Sequence, residues 1–552
     1  MPEEGVRKGT YAFALSAIFV VAAAVRIAAL ALASEYPTFR APDVDSLVYH
    51  RMGQSFADGD LLLGRGVHQL SPGYSYFVGL IYGAFGSGPW PIRVVQLLLG
   101  FATIALILAT ARRLFGRAWA LLPGGVAAVY GPFLFQEQQI LAETLGAFLY
   151  ALVLWLAVRA VMDTAGARPW LYVGMAWAAC VVTRPEAIVL GLALAAFAWR
   201  ALSWRERAWA LGFVFGPCLV AVLATTLRNQ VVSGEAVALT DTGGINLYIG
   251  NGPGANGTFR VPAQVHGDRG PIERFAGFHR AAEREAGHAL SVRQADRHWV
   301  MATVEFMADE PVTWLGIMVR KVHLYWNARE LSNVHDYEFG RRINAVLGAP
   351  LVQFGWIAPW ALVGMVLMCF LPRTVMVEAE AGRFVGVLTF ATMLSVVLFF
   401  VVARYRIPAV PGLLLLATAA VRFAARLFAE RHWRKALLLG VGLVLSTGLA
   451  WPVSVRKHFE DEYFKLGVGW HEEGNLPSAE HAYQQALQID SGYLPAHNNL
   501  ALLYERTGDL GAARRHWRTV LEAALLANDR ERAALAERHL SGLDRMIGPA
   551  VA

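Results

Sequence analysis

The chain has 552 residues, of which 56% are hydrophobic and only 16% are charged. Apolar runs close to the ~20 residues that cross a bilayer recur along it, which predicts a polytopic membrane protein and excludes a soluble globular chain. The net charge of +7 would suit a nucleic-acid partner in a soluble protein. Here membrane topology accounts for the basic residues, so we expect no nucleic acid.

Eleven segments are predicted to span the membrane. The first follows Arg7 and Lys8 and is longer than the roughly 7–15 apolar residues of a signal peptide core, so it is interpreted as a retained span. The predicted spans are 11–33, 90–111, 118–135, 140–160, 170–183, 186–201, 208–227, 348–371, 384–403, 407–425 and 436–453.

Basic residues favour a cytoplasmic N-terminus. Short cytoplasmic loops are enriched in Lys and Arg, and with this orientation every predicted inner connection is basic. The inner residues are Arg112, Arg113, Arg117, Arg159, Arg168, Arg200, Arg205, Arg207, Arg373, Arg383, Arg426, Arg431, Arg434 and Lys435. Residues 34–89, residues 228–347 and the tail from about 454 would then face outward.

The first outward segment contains "PDVDSLVYH". Apolar residues recur every four positions from Val44, which predicts an amphipathic helix at the membrane surface over 43–57. Asp45 and Tyr49 are one turn apart and would project together. Asp43 and Asp45 are equally explained as acidic residues that cap the helix.

A second carboxylate pair lies at the next outward turn, "YGPFLFQEQQILAETLGAFLY". Glu137 is predicted at the interface and Glu143 within the first turns of the following span. A carboxylate at that depth needs a partner or a wet cavity, so Glu143 is a candidate functional residue. The alternative is an interfacial Glu stabilised by the helix N-terminus.

Three arginines are predicted on the same face. Arg184, with Glu186, follows one span, and Arg404 and Arg406 follow another in "ARYRIPAVPG". A guanidinium donates two parallel hydrogen bonds, which suits a phosphate ligand. Anchoring to lipid headgroups is the alternative reading of Arg404 and Arg406.

Two further outward stretches carry less specific signals. Residues 241–259, "DTGGINLYIGNGPGANGTF", lack the Gly-Lys-Ser/Thr ending of a nucleotide loop and are interpreted as a glycine-rich loop at the mouth of a site. "HLYWNARELSNVHDYEF" contains Glu330 beside interfacial aromatic residues. No spacing typical of a structural metal site is present in that stretch.

The tail repeats itself at a period of 34 residues. Leu466, Trp470, Gly474, Ala479 and Tyr483 recur as Leu500, Tyr504, Gly508, Ala513 and Trp517. This period and these residue classes are typical of the tetratricopeptide repeat. We therefore predict a membrane domain over 1–453 and a repeat domain over 454–545. The repeats would occupy about 460–493 and 494–527, followed by a capping helix within 524–541. The repeats either pack on the membrane domain or recruit a partner.

The combination of these motifs resembles the GT-C class of polytopic glycosyltransferases, in the branch of protein O-mannosyltransferases and bacterial aminoarabinose transferases. The matching stretches lie within residues 10–430: "PDVDSLVYHRMGQSFADGDLL", "SPGYSYFVGLIYGAFG", "YGPFLFQEQQILAETLGAFL", "GGINLYIGNGPGANGTF" and "RYRIPAVPGLLLLA". The resemblance implies an all-α bundle of about 11 spans with outward juxtamembrane helices. To it we add a mixed outward loop domain and an α-helical repeat solenoid.

The resemblance also implies roles for particular residues. Asp45, four positions before Tyr49, matches the catalytic carboxylate of the class, and Glu143 fills a second acidic position where many members have Asp. Arg404 and Arg406 are similar to the class's phosphate-binding basic residues, with a polyprenyl-phosphate-linked sugar as donor. Tyr49, Asp43, Glu137, Arg184 and Glu330 complete the predicted binding set. Some members use a divalent cation, Mg²⁺ or Mn²⁺, which Asp45 and Glu143 would hold here; others use none.

The function expected from these features is inverting sugar transfer to an acceptor hydroxyl outside a bacterial inner membrane, where the tail would also lie. The acceptor would be a protein, a lipid or a glycan, engaged by the tail if the repeats bind it. One alternative is a transporter or flippase for lipid-linked sugars. Transporters favour internal repeats and sites near the membrane midplane, which the spans do not indicate. The second alternative is a membrane-anchored assembly factor that works through the repeat tail.

Overall fold

The computed structural model of the chain describes residues 8–64, 66–163, 166–262, 265, 271–371, 379–453 and 459–547. Every regular element within those residues is a helix, so the predicted all-α fold is confirmed. The mixed structure expected for 228–347 is wrong, because the described part of that segment forms helices and loops only. Arg373 and residues 454–458 lie outside the described residues.

The chain divides into two compact units. One comprises Met1–Ala31 and Pro42–Val453, and the other comprises Leu32–Ala41 and Ser454–Ala552. Residues 32–41 thus group with the tail, although the sequence analysis placed them in the membrane domain.

Twenty-two helices precede the tail in the described residues. They are α1 Lys8–Ala33, α2 Pro37–Arg40, α3 Val44–Ala57, α4 Pro72–Phe85, α5 Pro91–Phe115, α6 Arg117–Ala128, α7 Gly131–Glu137, α8 Glu143–Met162, α9 Pro169–Thr183, α10 Leu190–Ala201, α11 Trp204–Ser233, α12 Gly243–Asn251, α13 Pro271–Ala286, α14 Val292–Asp309, α15 Pro311–Trp326, α16 Tyr337–Ile343, α17 Ala345–Gly348, α18 Phe354–Phe370, α19 Ala379–Val397, α20 Ala403–Arg406, α21 Val410–Ala429 and α22 Trp433–Ala450. Two 3₁₀ turns, Pro185–Val189 and Ile407–Ala409, introduce α10 and α21.

Seven helical segments in the described residues are long and apolar enough to cross a membrane: α1, α5, α8, α11, α19, Ala403–Ala429 and α22. Each coincides with a predicted span. The spans predicted at 170–183 and 348–371 correspond to the shorter apolar helices α9 and α18. Those predicted at 118–135 and 186–201 are interrupted, the first between α6 and α7 and the second by the 3₁₀ turn before α10. The protein is an integral membrane protein.

Burial separates central from peripheral spans. In the most apolar 18-residue stretch of Ala403–Ala429, 83% of the residues are buried, whereas only 17% are buried in the corresponding stretches of α11 and α22. The centre is closely packed, since a Cβ on Gly364 of α18 would collide with the Leu416 carbonyl of α21. Glycine therefore lets the two backbones come into contact. The closely packed central span begins with α20, so its packing holds α20 in place.

The described part of 228–347 has its own small core. Tyr248 of α12, Phe278 of α13 and Trp299 of α14 pack together, with ring centroids of Tyr248 and Phe278 4.6 and 5.5 Å from that of Trp299. Phe400 and Val402, directly before α20, belong to the same cluster. This contact fixes α12 beside α20, and the two helices line one cavity.

The second unit contains α2 and five tail helices: α23 Phe459–Glu472, α24 Leu476–Ile489, α25 Leu494–Thr507, α26 Leu510–Leu526 and α27 Arg530–Ile547. Gly474 and Gly508 adopt φ values of +78° and +88° between paired helices, where glycine has no Cβ penalty. Ala479 and Ala513 are fully buried 34 residues apart. These features suit paired helices at the predicted period; the tetratricopeptide assignment stays a prediction.

Candidate functional site

Four charged side chains meet in one cavity of about 170 Å³. Asp45 lies in the first turn of α3, and Glu143 is the first residue of α8. Arg184 directly follows α9, and Arg404 lies in α20. The sequence separates these residues by up to 359 positions. The fold brings them together because each stands at the end of a helix or beside one.

The four side chains form a continuous ion-pair network. Arg404 Nη2 donates to Asp45 Oδ2 at 2.8 Å, and Arg404 Nε lies 3.8 Å from Glu143 Oε1. Arg184 Nη1 donates to that same Glu143 oxygen at 3.0 Å. Arg184 also pairs with Glu186 at 2.7 Å. Glu143 therefore sits between two guanidinium groups and partly offsets their mutual repulsion.

The two central carboxylates differ in access. The Glu143 side chain is 1% exposed and that of Asp45 is 13% exposed. Glu143 Oε2 has no hydrogen-bond partner in the described residues. Asp45 is thus the carboxylate that an incoming hydroxyl meets more readily, and Glu143 is placed to hold the arginines.

Tyr405 contacts both arginines of the network. The guanidinium carbon of Arg184 lies 4.3 Å from the centroid of its ring, and that of Arg404 lies 5.2 Å from it. Cation–π attraction favours such positions. The sequence analysis did not single out Tyr405, although its place between two predicted phosphate ligands was a usable signal.

The facing wall comes from the glycine-rich segment. Thr242, Gly243, Asn246 and Ile249, at the start of α12, line the cavity together with Phe259. This arrangement fits the predicted role of 241–259 at the mouth of a site. Further lining residues that the sequence analysis missed are Arg274, Phe275, Asn333, Phe399 and Phe400. Hydroxyl, amide and aromatic side chains, and a further guanidinium from Arg274, thus line the cavity beside the charged network.

Tyr49 lines the cavity beside Asp45. It is buried, and its ring packs edge-on against Tyr74 with centroids 4.8 Å apart. Burial, and to a smaller extent the nearby Asp45 carboxylate, raise the pKa of the Tyr49 phenol above its usual value. The group therefore stays protonated and can act as a hydrogen-bond donor.

Arg406 and Glu330 lie outside this cavity, in contrast to the prediction. Arg406 is 2% exposed, and its Nη1 donates to the carbonyls of Tyr325 at 2.9 Å and Asn327 at 2.6 Å. Its Nη2 donates to Glu330 at 2.8 Å, and the guanidinium carbon lies 3.8 Å from the centroid of the Phe354 ring. Protein groups thus occupy both terminal nitrogens of the guanidinium, and its Nε is buried without a hydrogen-bond partner in the described residues.

Glu137 and Asp43 also lie away from the cavity. Glu137 is buried and pairs with Arg26 of α1 at 2.9 Å, which explains how an arginine is tolerated inside a span. Asp43 occupies the position before the first turn of α3, as the capping alternative predicts, but its side chain makes no capping hydrogen bond. Its carboxylate lies 3.3 Å from His335 Nε2.

A divalent cation does not fit between Asp45 and Glu143 in this arrangement. Arg404 contacts both carboxylates, so its positive charge occupies the position that the metal would take. No group of three or more His, Cys, Asp or Glu side chains suited to a metal ion occurs in the described parts of the chain. The use of a divalent cation stays a prediction from the sequence.

Part of the chain matches the model of a known family. Residues 69–227, which contain Glu143 and Arg184, match the model of the dolichyl-phosphate-mannose-protein mannosyltransferase family. The predicted resemblance to GT-C glycosyltransferases is confirmed over that segment. A comparison with curated proteins found no match.

Solved structures with a similar course of the chain include two membrane enzymes. The archaeal oligosaccharyltransferase AglB from Archaeoglobus fulgidus, in complex with an inhibitory peptide and a dolichol-phosphate, matches with 12% identity and a TM-score of 0.41. The match covers 86% of this chain and 59% of AglB, so the chain spans less than two thirds of that protein. ArnT from Cupriavidus metallidurans, bound to undecaprenyl phosphate, matches with 16% identity and a TM-score of 0.33, over 74% of this chain and 78% of ArnT.

Proposed function

We propose that the protein is an inverting glycosyltransferase that moves a sugar from a polyprenyl-phosphate donor to an acceptor hydroxyl. The observation that carries this proposal is the bridge of Arg404 between Asp45 and Glu143 at the wall of the cavity. It sets a carboxylate able to accept a proton beside a cation able to receive a phosphate. The match of residues 69–227 to a family of lipid-phosphate-dependent mannosyltransferases supports the same reaction.

Arg404 and Arg184 would bind the donor phosphate. Their guanidinium groups line the cavity and share one oxygen of Glu143, so they are held close together although they carry the same charge. A phosphate that enters competes with Asp45 for Arg404, because both are anions that accept its N–H groups. Donor binding would therefore release Asp45 from its ion pair.

The released Asp45 would act as general base. The acceptor oxygen attacks the anomeric carbon of the sugar from the side opposite the phosphate, and its proton passes to the Asp45 carboxylate. The bond between the anomeric carbon and the phosphate oxygen breaks, and its electron pair stays on the phosphate beside Arg404 and Arg184. The products are the glycosylated acceptor, with inverted configuration, and polyprenyl phosphate.

Charge placement explains why no strong general acid is needed. The leaving group is a phosphate, and positive groups aimed at the developing charge stabilise the transition state directly. Glu143 would not take part in proton transfer, because it is almost completely buried between the two arginines. Its role would be to hold Arg184 and Arg404 in place.

The other wall would receive the sugar and acceptor. Thr242 and Asn246 offer groups that hydrogen-bond hydroxyls, and the aromatic Phe275 offers an apolar face. Tyr49 would donate a hydrogen bond near Asp45. We further propose that the cavity opens on the outer face of a bacterial inner membrane, as the basic inner loops predict, and that the tail lies on that side. The acceptor would be a protein, a lipid or a glycan, and the tail would engage it.

The test is a transfer assay with purified protein in lipid. Polyprenyl-phosphate-linked mannose, the sugar named by the matching family, is supplied beside other hexose and pentose donors, with membrane extract as acceptor. Mass spectrometry then identifies any glycosylated product. We expect transfer by the wild type and by Asp58→Asn, an exposed carboxylate at the other end of α3. Asp45→Asn should lose transfer; equal activity in a well-folded Asp45→Asn protein would refute the mechanism.

A further inference from the structure

One face of α15 exposes apolar side chains that no described part of the protein covers. Val312, Leu315 and Val319 are 81%, 55% and 71% exposed. Their spacing of three and four residues places them on one side of the helix, with Gly316 between them. Pro311 to Val319 contains no Asp, Glu, Lys or Arg. The opposite side packs into the protein, where Ile317 and Leu324 are buried.

The preceding helix also exposes apolar side chains. Met301 and Val304, in the second half of α14, are 45% and 47% exposed. Buried Trp299 and Thr303 lie on the other side of the same turns. The five exposed residues Met301, Val304, Val312, Leu315 and Val319 are called the hairpin surface below. Exposed apolar patches on a folded protein mark contacts with lipid or with another protein.

The position of α15 along the bundle favours lipid over another protein as the partner of the hairpin surface. The helix packs against α19 and α22, both of which are apolar enough to span a membrane. Just after α15, Ala328 N donates to the carbonyl of Ala450, the last residue of α22, at 2.8 Å. The end of α15 therefore lies level with the end of a membrane span.

The neighbouring span presents the same chemistry outward. Leu437, Leu438, Val444 and Leu445 of α22 are 69–72% exposed, within the 45–81% range of the hairpin surface. In a membrane these side chains face acyl chains. Because α15 packs beside α22, its apolar face continues the lipid-facing surface of the bundle.

We infer that the hairpin surface contacts the bilayer at the boundary between headgroups and acyl chains. An amphipathic helix lies in this plane with its apolar face buried in the membrane. The sequence analysis placed 228–347 outside the membrane. Arg320, Lys321 and His323 follow the apolar residues of α15. In the structure Lys321 points away from this face: it is buried, and its Nζ donates to Asn251 Oδ1 at 2.6 Å. Arg320 is exposed and His323 half-buried, both beyond the last residue of the hairpin surface.

The lipid contact would also support the cavity wall. Asn251 ends α12 and accepts hydrogen bonds from Lys321 and, at 3.2 Å, from Trp314 Nε1 of α15. Its amide donates to the Leu398 carbonyl at 2.9 Å, beside the cavity residues Phe399 and Phe400. One side of α15 thus meets lipid while the other holds α12, which lines the cavity.

The test measures the surroundings of single cysteines in the full-length protein, purified and reconstituted as single copies in nanodiscs. The native cysteines Cys180, Cys218 and Cys369 are replaced first. Val312→Cys and Val319→Cys probe the hairpin surface, and Arg293→Cys, exposed in the first turn of α14, is the matched control. Each is reacted with a charged maleimide, with the rate normalised to that in SDS. A nitroxide at each site then reports collisions with oxygen and with a water-soluble nickel chelate.

Lipid contact predicts that both valine positions react at least about tenfold more slowly than Arg293→Cys, and that their nitroxides collide with oxygen more than with nickel. Reaction as fast as the control would place the surface in water and overturn the inference. Slow reaction with few collisions of either kind would show a protein cover and would overturn it equally. None of these results depends on the proposed enzymatic activity.

Discussion

Arg404 and Arg406 lie two residues apart on one short helix, and their guanidinium groups meet opposite surroundings. Arg404 lines the cavity and pairs with Asp45, whose side chain is 13% exposed. Arg406 is buried, and pairs with Glu330 and backbone carbonyls. The same contrast separates Glu143, which lines the cavity, from Glu137, which pairs with Arg26 outside it.

The difference distinguishes a working ion pair from a structural one. A buried charge paired with protein groups is costly to leave without its partner, and its burial keeps it from a ligand. A charge at a cavity wall can exchange its partner for a substrate. The predictions below test this distinction, beginning with the largest expected effect.

Arg406→Met should destabilise the fold by about 3–5 kcal/mol, because it leaves Glu330 buried without its cationic partner. Thermal unfolding in lipid nanodiscs measures the loss. The double variant Arg406→Met/Glu330→Leu should recover much of it, since no unpaired charge remains. A double variant no more stable than the single one would mean that the carbonyl contacts of Arg406, not its ion pair, hold this region.

Arg404→Met should leave the fold largely intact and lower kcat/KM for transfer by about 10²–10³-fold, the usual effect of removing one group that stabilises a developing anion. Activity is expressed per folded molecule, so that it can be compared with Arg406→Met. If the two variants lose stability and activity in the same proportion, the proposed division between a working and a structural arginine is wrong.

Tyr405→Leu should raise KM for the donor by about three- to tenfold, because the ring contributes roughly 0.5–1.5 kcal/mol in all to the placement of the two guanidinium groups. Tyr405→Phe keeps the ring and should remain close to wild type. Initial rates over a range of donor concentrations separate KM from kcat. An equal loss in both variants would assign the effect to the hydroxyl instead of the ring.

The tail contains an uncharged counterpart to the ion pairs, the hydrogen-bonded histidines His497 and His516. His497 Nε2 donates to the Ser491 carbonyl at 2.9 Å, so in the neutral pair its Nδ1 accepts from His516 Nδ1 at 2.8 Å. Burial first, then His497 and Arg515, lower the pKa of His516 from 6.5 to about 4. Between these values the unfolded chain binds more protons than the folded tail. The stability that neutral His516 confers on the tail is therefore present above pH 6.5 and lost as the pH falls toward 4.

Hydrogen exchange of α25 and α26 in the full-length protein measures this loss, after correction for the intrinsic effect of pH. His516→Phe, which keeps a ring against Tyr504, should show a weaker pH dependence. The same pH dependence in both proteins would mean that other groups in the tail control it.

Most of the fold followed from local sequence pattern. Apolar runs located the spans, and the period of 34 residues located paired helices in the tail, because both signals repeat within short windows. The predicted spans at 118–135 and 186–201 failed as single helices, because hydropathy registers apolar content without registering a break in the helix. The lipid-facing side of α15 was missed for a related reason. The basic residues of α15 lower the mean hydropathy of any span-length stretch that contains the helix.

The candidate site was predictable by position but not by side-chain direction. Glu143, Arg184 and Arg404 could be singled out because each stands at the boundary of a predicted span, and Asp45 because it lies one turn before Tyr49 in an outward helix. Sequence spacing does not reveal which of Arg404 and Arg406, or of Glu137 and Glu143, faces a cavity. That depends on tertiary neighbours such as Arg26 and Glu330, which are distant in the chain.

The most direct test of the central claim compares single-turnover transfer by Asp45→Asn and Glu143→Gln with donor already bound. Asp45 is proposed to take the acceptor proton, and Glu143 to hold the arginines. Asp45→Asn should bind donor and transfer it at least about 10²-fold more slowly, whereas Glu143→Gln should lose donor affinity first. Transfer by donor-saturated Asp45→Asn at the wild-type rate would contradict the account.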